Sequence, residues 1–244
     1  MNRDDGIPGI PFDESRLPEL PHPRYFPPAW EADLDGIVCV GGSLKPELLL
    51  DAYRHGIFPW PVNDRSPLFW WSPDPRAIIG LDQLHIPRRL ARTIRSGKFQ
   101  VTCDRDFPGV IRGCANAHSG QGGTWITPKM IVAYEHMHQL GYAHSIEVWR
   151  EDLLVGGTYG ISIGGLFAAE SMFHRATDAS KVALVHLVAH LRARGYELLD
   201  IQQLTAHTRR LGGIEIPRSS YLKLLAKAVE KTVTFGISVE GSSE

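Results

Sequence analysis

The stretch HSIEVWREDLLVGGTYGISIGGLFAAESMF, residues 144–173, decides the fold. It contains three apolar runs, 144–150, 153–161 and 166–173, rich in β-branched and aromatic residues and separated only by Glu151-Asp152 and Gly164-Gly165. Breaks that short make the runs an antiparallel meander. The uncharged part, 153–169, carries glycines at 156, 157, 160, 164 and 165, so it reads as strands and turns rather than a membrane span. Downstream, Ser180 is expected to cap a helix with Leu184, Leu187, Val188 and Leu191 on one face and Gly195 as its stop. A strand, YELLDIQQL at 196–204, and a helix from 219 to about 231 follow. The result is an α+β domain in which a helix crosses over a mixed, mostly antiparallel sheet.

Upstream, Thr127 and Pro128 open a helix that stops at Gly141, and residues 84–96 suit a short basic helix. Pro46 starts another, with Leu48, Leu49, Ala52 and Tyr53 at helical spacing and Gly56 at its end. The aromatic, proline-rich segments at 56–64 and 68–76 read first as a packed seam between domains and second as a ligand surface. These features divide the chain into a proline-rich acidic arm (1–33), a small N-terminal α/β domain (34–75), a larger domain (76–233) and a flexible tail (234–244).

A chain of 244 residues with 43% hydrophobic and 22% charged residues is an ordinary globular composition. It buries roughly 70–75% of its unfolded surface and needs no disulfides. Cys39, Cys103 and Cys114 form no CxxC motif, and no secretory signal opens the sequence, which points to a cytoplasmic location. The formal charge of -1 conceals an asymmetry: residues 1–36 hold eight acids against three arginines, whereas residues 76–112 hold eight basic residues against three acids. On the helix at 84–96, Arg88, Arg92 and Arg95 fall on one face, a local charge suited to a phosphate-bearing partner.

Gly160-Ile-Ser162-Ile-Gly164 matches the GxSxG elbow, with Asp200 and His207 following in hydrolase order. The elbow requires a strained turn into a helix, however, and Ser162 sits between isoleucines and precedes another strand, so it reads as an ordinary strand serine. His186 with His190, and His136, His138 and His144, form two clusters that have no HExxH glutamate or third ligand, and no metal is expected. GxxxxGK[ST] and GxGxxG are both missing from the sequence. Glu170 lies among Phe167, Met172 and Phe173, while Asp200 and Gln202 alternate with Leu199 and Ile201 and are expected to share a face. Polar groups so placed form either a buried hydrogen-bond network or a functional site, and both readings stand at this point.

The blocks GIFPW (56–60), WWSPDPR (70–76), GTWIT (123–127), HSIEVWR (144–150), LVGG (154–157), ESMF (170–173) and EIPR (215–218) resemble, in order over about residues 34–230, the leucyl/phenylalanyl-tRNA–protein transferases. The resemblance implies that the larger domain has an N-acetyltransferase-like fold. It implies transfer of leucine or phenylalanine, and less readily methionine, from aminoacyl-tRNA to the N-terminal amine of proteins beginning with arginine or lysine, marking them for degradation, by a monomer without cofactor or membrane. It implies catalytic roles for Asp200 and Gln202 with Glu170 nearby, Asp200 acting as a base or as an orienting group. Tyr53, Trp60 and Trp125 match family positions near the substrates, where rings can stack on a terminal adenosine. For the apolar slot the candidates are Phe167, Met172, Leu187 and Leu191, the last two departing from the expected aromatics. Arg88, Arg92 and Arg95, supported by Arg89 and Lys98, are the expected tRNA backbone contacts.

Two other readings remain. One is a CoA-dependent N-acyltransferase, disfavoured because Asp178 puts a carboxylate where a pyrophosphate loop needs glycine. The other is a non-catalytic tRNA-binding protein, which the presence of Glu170, Asp200 and Gln202 argues against.

Overall fold

The computed structural model describes residues 18–117 and 124–236; the expectations for residues 1–17 of the arm, for Gly123 and for 237–244 of the tail lie outside them. The chain first builds a small three-stranded antiparallel sheet from β1 (Ile37–Val40), β2 (Phe58–Pro59) and β3 (Phe69–Trp71), in the order β1-β3-β2. Between β1 and β2 runs α1 (Pro46–Arg54), begun by Pro46 as expected. Gly56 follows it at φ +78, and a Cβ there would meet Leu222 Cδ2 at 2.8 Å, so only glycine fits the turn.

The second sheet has seven strands in the order β10-β4-β9-β8-β7-β6-β5. These are β4 (Arg76–Ile79), β5 (Gln100–Cys103), β6 (Ala143–Arg150), β7 (Leu153–Ile163), β8 (Leu166–His174), β9 (Leu198–Gln202) and β10 (Gly213–Ile216). The helices are α2 (Arg88–Arg95), α3 (Phe107–Ala117), α4 (Pro128–Gln139), α5 (Ala179–Ala193), α6 (Ala206–Arg209) and α7 (Arg218–Val229). β6, β7 and β8 form the meander expected from residues 144–173. β8 and β9 are parallel, joined over the sheet by α5, which gives the mixed sheet and crossover helix of the α+β reading. Buried residues of α1, α3, α4 and α7 fill one face of the sheet, and α5 with Leu90 of α2 covers the other.

Several local expectations change. α2 starts at Arg88 rather than Leu84, directly after Pro87. α5 starts at Ala179 behind Asp178, which takes φ 70, so Ser180 lies in the first turn and is not the cap. Thr127 does cap α4, its hydroxyl accepting from Met130 N–H. α3 was not anticipated: Pro108, Gly109 and Gly113 weaken its local signal, yet Gly113 allows the Phe173 ring to approach where a Cβ would stand 2.6 Å from it. Phe235, within the segment expected as tail, is 3% exposed, stacks on His144 at 4.4 Å, and accepts a hydrogen bond at its carbonyl from His190 Nε2. Among the described residues, no helix is long and apolar enough to cross a membrane.

Candidate active site

The parallel pair β8/β9 is in register at Leu166↔Leu198, Phe167↔Leu199 and Ala168↔Asp200, and beyond that point the strands part. Each strand carries one unmatched residue at the fork. Tyr159 pairs with Ser171 but Gly160 with Ala169, leaving Glu170 as the extra residue of β8. Ala77 pairs with Gln202 but Ile78 with Asp200, leaving Ile201 extra in β9, and Gln202 adopts φ 55. Bulges re-aim side chains and end pairing, and here they open a cleft and direct two polar side chains toward its apex.

Glu170 Oε1 accepts from Tyr53 OH at 2.7 Å and from Gln202 Nε2 at 2.8 Å, while Oε2 accepts from Tyr134 OH at 3.2 Å. The two tyrosine hydroxyls also bond each other. Burial pushes the Glu170 carboxyl up to about 7, against the opposing hydrogen bonds of Tyr53 and Tyr134 and with a further upward push from Asp200.

Asp200 is fully engaged. Arg76 holds it in a two-point fork, Nε to Oδ1 at 2.9 Å and Nη2 to Oδ2 at 2.6 Å. Gln202 N–H donates to Oδ1 at 2.8 Å and Tyr221 OH to Oδ2 at 2.9 Å. Both members of the ion pair are 1% exposed. The guanidinium lies between the Phe58 and Tyr221 rings, 4.7 and 4.5 Å from their centroids, and donates to the Gly56 carbonyl at 3.1 Å. Burial works against the Arg76 charge, but Asp200, with Tyr221 and Glu170, outweighs it and holds the group above its ordinary value. The sequence reading counted Arg76 in the basic segment; the structure removes it from any exposed stripe.

A cavity of about 540 Å³ fills the cleft, and Trp60, Trp125, Glu170, Met172 and Gln202 all line it. Trp60 and Trp125 lie edge to face with centroids 6.1 Å apart. Tyr53 is behind the wall, reaching Glu170, and Asp200 is deeper still. Of the four candidates for the apolar slot, only Met172 lines the cavity. Phe167, Leu187 and Leu191 are each 0% exposed and pack together in the core beneath α5, because Phe167 points to the helix-covered side of β8. Arg88, Arg89, Arg92, Arg95 and Lys98 are all exposed, with Leu90 as the buried anchor of α2.

The hydrolase constellation does not assemble: Ser162 Oγ bonds Tyr196 OH at 2.6 Å, and Asp200 belongs to Arg76. Asp104, His138 and His144 do gather, with ligand atoms within 4.8 Å of one another. His144 Nδ1 meets Asp104 Oδ2 at 2.6 Å, while His138 Nδ1 meets the Ala143 carbonyl at 2.8 Å. Arg76, Tyr134 and Tyr221 were missed as members of the site. One signal for a partner existed, since an aspartate buried in an apolar strand requires a counter-charge.

A cleft that presents a near-neutral carboxyl and an amide, with a buried ion pair behind them, suits acyl transfer to an amine, and comparison with known proteins places the chain among aminoacyl-tRNA-dependent transferases. The model of the leucyl/phenylalanyl-tRNA protein transferase N-terminal domain matches residues 42–74, and that of the leucyl/phenylalanyl-tRNA protein transferase matches residues 78–226. The chain is 50% identical over 218 residues to the leucyl/phenylalanyl-tRNA–protein transferase of Anaeromyxobacter sp. (strain K), covering 89% of this chain and 93% of that one. It is 48% identical over 212 residues to that of Nitratidesulfovibrio vulgaris (strain DP4), covering 86% and 90%. The chain belongs to the leucyl/phenylalanyl-tRNA–protein transferase family. A solved GCN5-related N-acetyltransferase from Kribbella flavida is similar at 12% identity and a TM-score of 0.38, covering 71% of this chain and 61% of that one.

Proposed function

We propose that the cleft transfers leucine or phenylalanine, and less readily methionine, from aminoacyl-tRNA to the N-terminal amine of proteins beginning with arginine or lysine, marking them for degradation. The observation that carries this reading is the Glu170–Gln202 contact at 2.8 Å, open to the cavity and braced by Arg76–Asp200. On this reading residues 34–75 are the small domain and 76–233 the catalytic one, working as a cytoplasmic monomer without cofactor.

The aminoacyl ester is already activated. The amine nitrogen forms a bond to its carbonyl carbon, the ester C–O bond breaks, and the ribose oxygen leaves with a proton. Bringing the two together can supply roughly 7–11 kcal/mol of the barrier. The attacking amine, with an ordinary pKa of about 7.7–8.0, must first lose a proton. A carboxyl at about 7 is matched to that task within roughly one unit. Glu170, whose Oε2 has a single donor among the described residues, is therefore assigned the proton, Gln202 the orientation of the amine, and Asp200, each of whose oxygens already has two donors, the positioning of Gln202 through its N–H. Arg76 neutralises Asp200, so Glu170 supplies the negative charge that favours a basic acceptor. Trp60 and Trp125 offer ring faces to the terminal adenosine, and Met172 contacts the transferred side chain.

The test is transfer of labelled leucine from leucyl-tRNA to a peptide beginning with arginine, with leucyl-CoA and free leucine plus ATP as comparison donors and an acetylated peptide as control. Label should move only from tRNA and only to the free amine. Movement from the CoA donor, or from none, overturns the proposal.

A further inference from the structure

The mechanism uses the apex of the cleft and leaves its outer end unassigned. There His174, the last residue of β8, and His207, in the first turn after β9, both line the cavity together with Ser180 and Thr205. His207 Nε2 is buried from solvent and has no hydrogen-bond partner among the described residues. A buried ring nitrogen without a partner is uncommon in a folded protein and points to a ligand that completes it.

Basic residues surround His207. Burial first, and then Lys181, His174 and Arg210, keep the His207 imidazole below its ordinary value. Such a ring is a neutral donor at pH 7, and an anion bound to it would offset the charges of Lys181 and Arg210. Asp178, an acid beside Lys181 at this corner, is tied to Lys181 Nζ at 2.8 Å and does not line the cavity. The Asp178 carboxyl is held low first by Lys181 and then by Arg89 and Lys98, so the basic residues of α2 and its C-terminal flank reach this same corner. Arg89 and Lys98 therefore add positive charge beside Asp178 and Lys181, near the outer end of the cleft.

We infer that His207, with His174 beside it, binds the phosphodiester that joins the aminoacylated terminal nucleoside to the rest of the RNA donor. This rests on the proposed function, and it adds a second fixed point for the donor. Rings at Trp60 and Trp125 hold the nucleoside, and the imidazole N–H holds the first phosphate, which is monoanionic and accepts hydrogen bonds through two oxygens. A cavity of about 540 Å³ is in the range that encloses an aminoacyl nucleoside with its adjoining phosphate.

Three leucyl donors provide the test: leucyl-adenosine, with neither phosphate nor cytidine, a leucyl-CpA dinucleotide, and the same dinucleotide differing only in an uncharged methylphosphonate link. His207→Ala should lower kcat/KM for the dinucleotide by about tenfold to a hundredfold, the range of one charged hydrogen bond. It should leave leucyl-adenosine unchanged, and His207→Gln, which keeps an N–H donor, should recover part of the loss. The wild-type protein should discriminate against the methylphosphonate, and His207→Ala should not. Equal losses for leucyl-adenosine and the dinucleotide, at unchanged melting temperature, overturn the inference and leave His207 a structural residue. No transfer by the wild-type protein from any donor, full tRNA included, instead overturns the proposed function on which it rests.

Discussion

Replacing Arg76 by methionine tests how the site is held together. The change keeps most of the side-chain volume between Phe58 and Tyr221 but leaves the Asp200 carboxylate, 1% exposed, without its counter-charge. Breaking a buried pair in this way costs about 3–5 kcal/mol. At about 2–4 °C per kcal/mol for a chain of this size, the melting temperature should fall by roughly 6–20 °C. Tyr221 OH and Gln202 N–H still donate to Asp200, which places the expected value toward the lower half of that range. The double variant Arg76→Met with Asp200→Leu removes both charges and should regain most of the lost stability, because an apolar pair of similar volume replaces them. It should not regain transfer, since the acceptor that fixes Gln202 N–H is gone. Scanning calorimetry of the wild type and the two variants, with peptide transfer measured in parallel, decides the matter. A fall below about 3 °C for Arg76→Met, or a double variant that regains activity along with stability, would refute the reasoning.

Other outcomes follow from the same geometry. Single-turnover transfer should rise with pH through about 7 as Glu170 ionises, and Glu170→Gln should remove that step and lower the rate by about 10²–10⁴-fold; a step that persists in the variant argues for another proton acceptor. Replacing Arg88, Arg92 and Arg95 by alanine should weaken tRNA binding and flatten its logarithmic salt dependence by roughly two units, read by filter binding across a salt series. Glu147 is buried on β6, with its folded pKa raised by burial, so its ionisation subtracts stability as pH rises above the ordinary carboxylate range. Glu147→Gln should therefore gain urea resistance at pH 8 and show no gain at pH 4. Met172→Ala should shift the leucine-to-phenylalanine preference, whereas Leu187→Ala should cost about 2–5 kcal/mol of stability with that preference intact.

The meander and the crossover helix were legible because strand alternation, tight breaks and helical spacing are local signals that their tertiary setting reinforces. β4 and β10 were not: four residues each, they are strands only because they add to β9 and to one another. The same limit governs the site. Alternation correctly marked Glu170, Asp200 and Gln202 as polar groups that an apolar strand would not carry without reason. It also put Asp200 and Gln202 on one face, but the unmatched Ile201 breaks that period, so one turns to Arg76 and the other to Glu170. A bulge is a property of two strands and their register, and no single strand announces it. Likewise Arg76 reads in sequence as one more cation of a basic segment, and only the pairing of β4 with β9 brings it to Asp200.

That misreading matters for the chemistry, because it separates the cations into two populations with opposite tasks. Arg76 spends its charge on Asp200 inside the fold, which leaves Glu170 as the carboxyl at the apex able to favour a cationic acceptor. The arginines of α2 keep their charge at the surface, and Arg89 lies near enough to Asp178 to help hold its carboxyl low. The cleft is thus polarised along its length, with adjustable negative charge at the apex and positive charge at the mouth. On the proposed function, a polyanionic donor and a basic acceptor enter one cavity with their charged parts drawn to opposite ends, and the neutral ester and the amine meet between them. Had Asp200 been unpaired, the apex would hold two carboxylates, and the pKa of Glu170 would rise further from like-charge repulsion, beyond the range useful for accepting the proton of the amine. The buried pair therefore limits how far Asp200 adds to a shift that burial of Glu170 dominates.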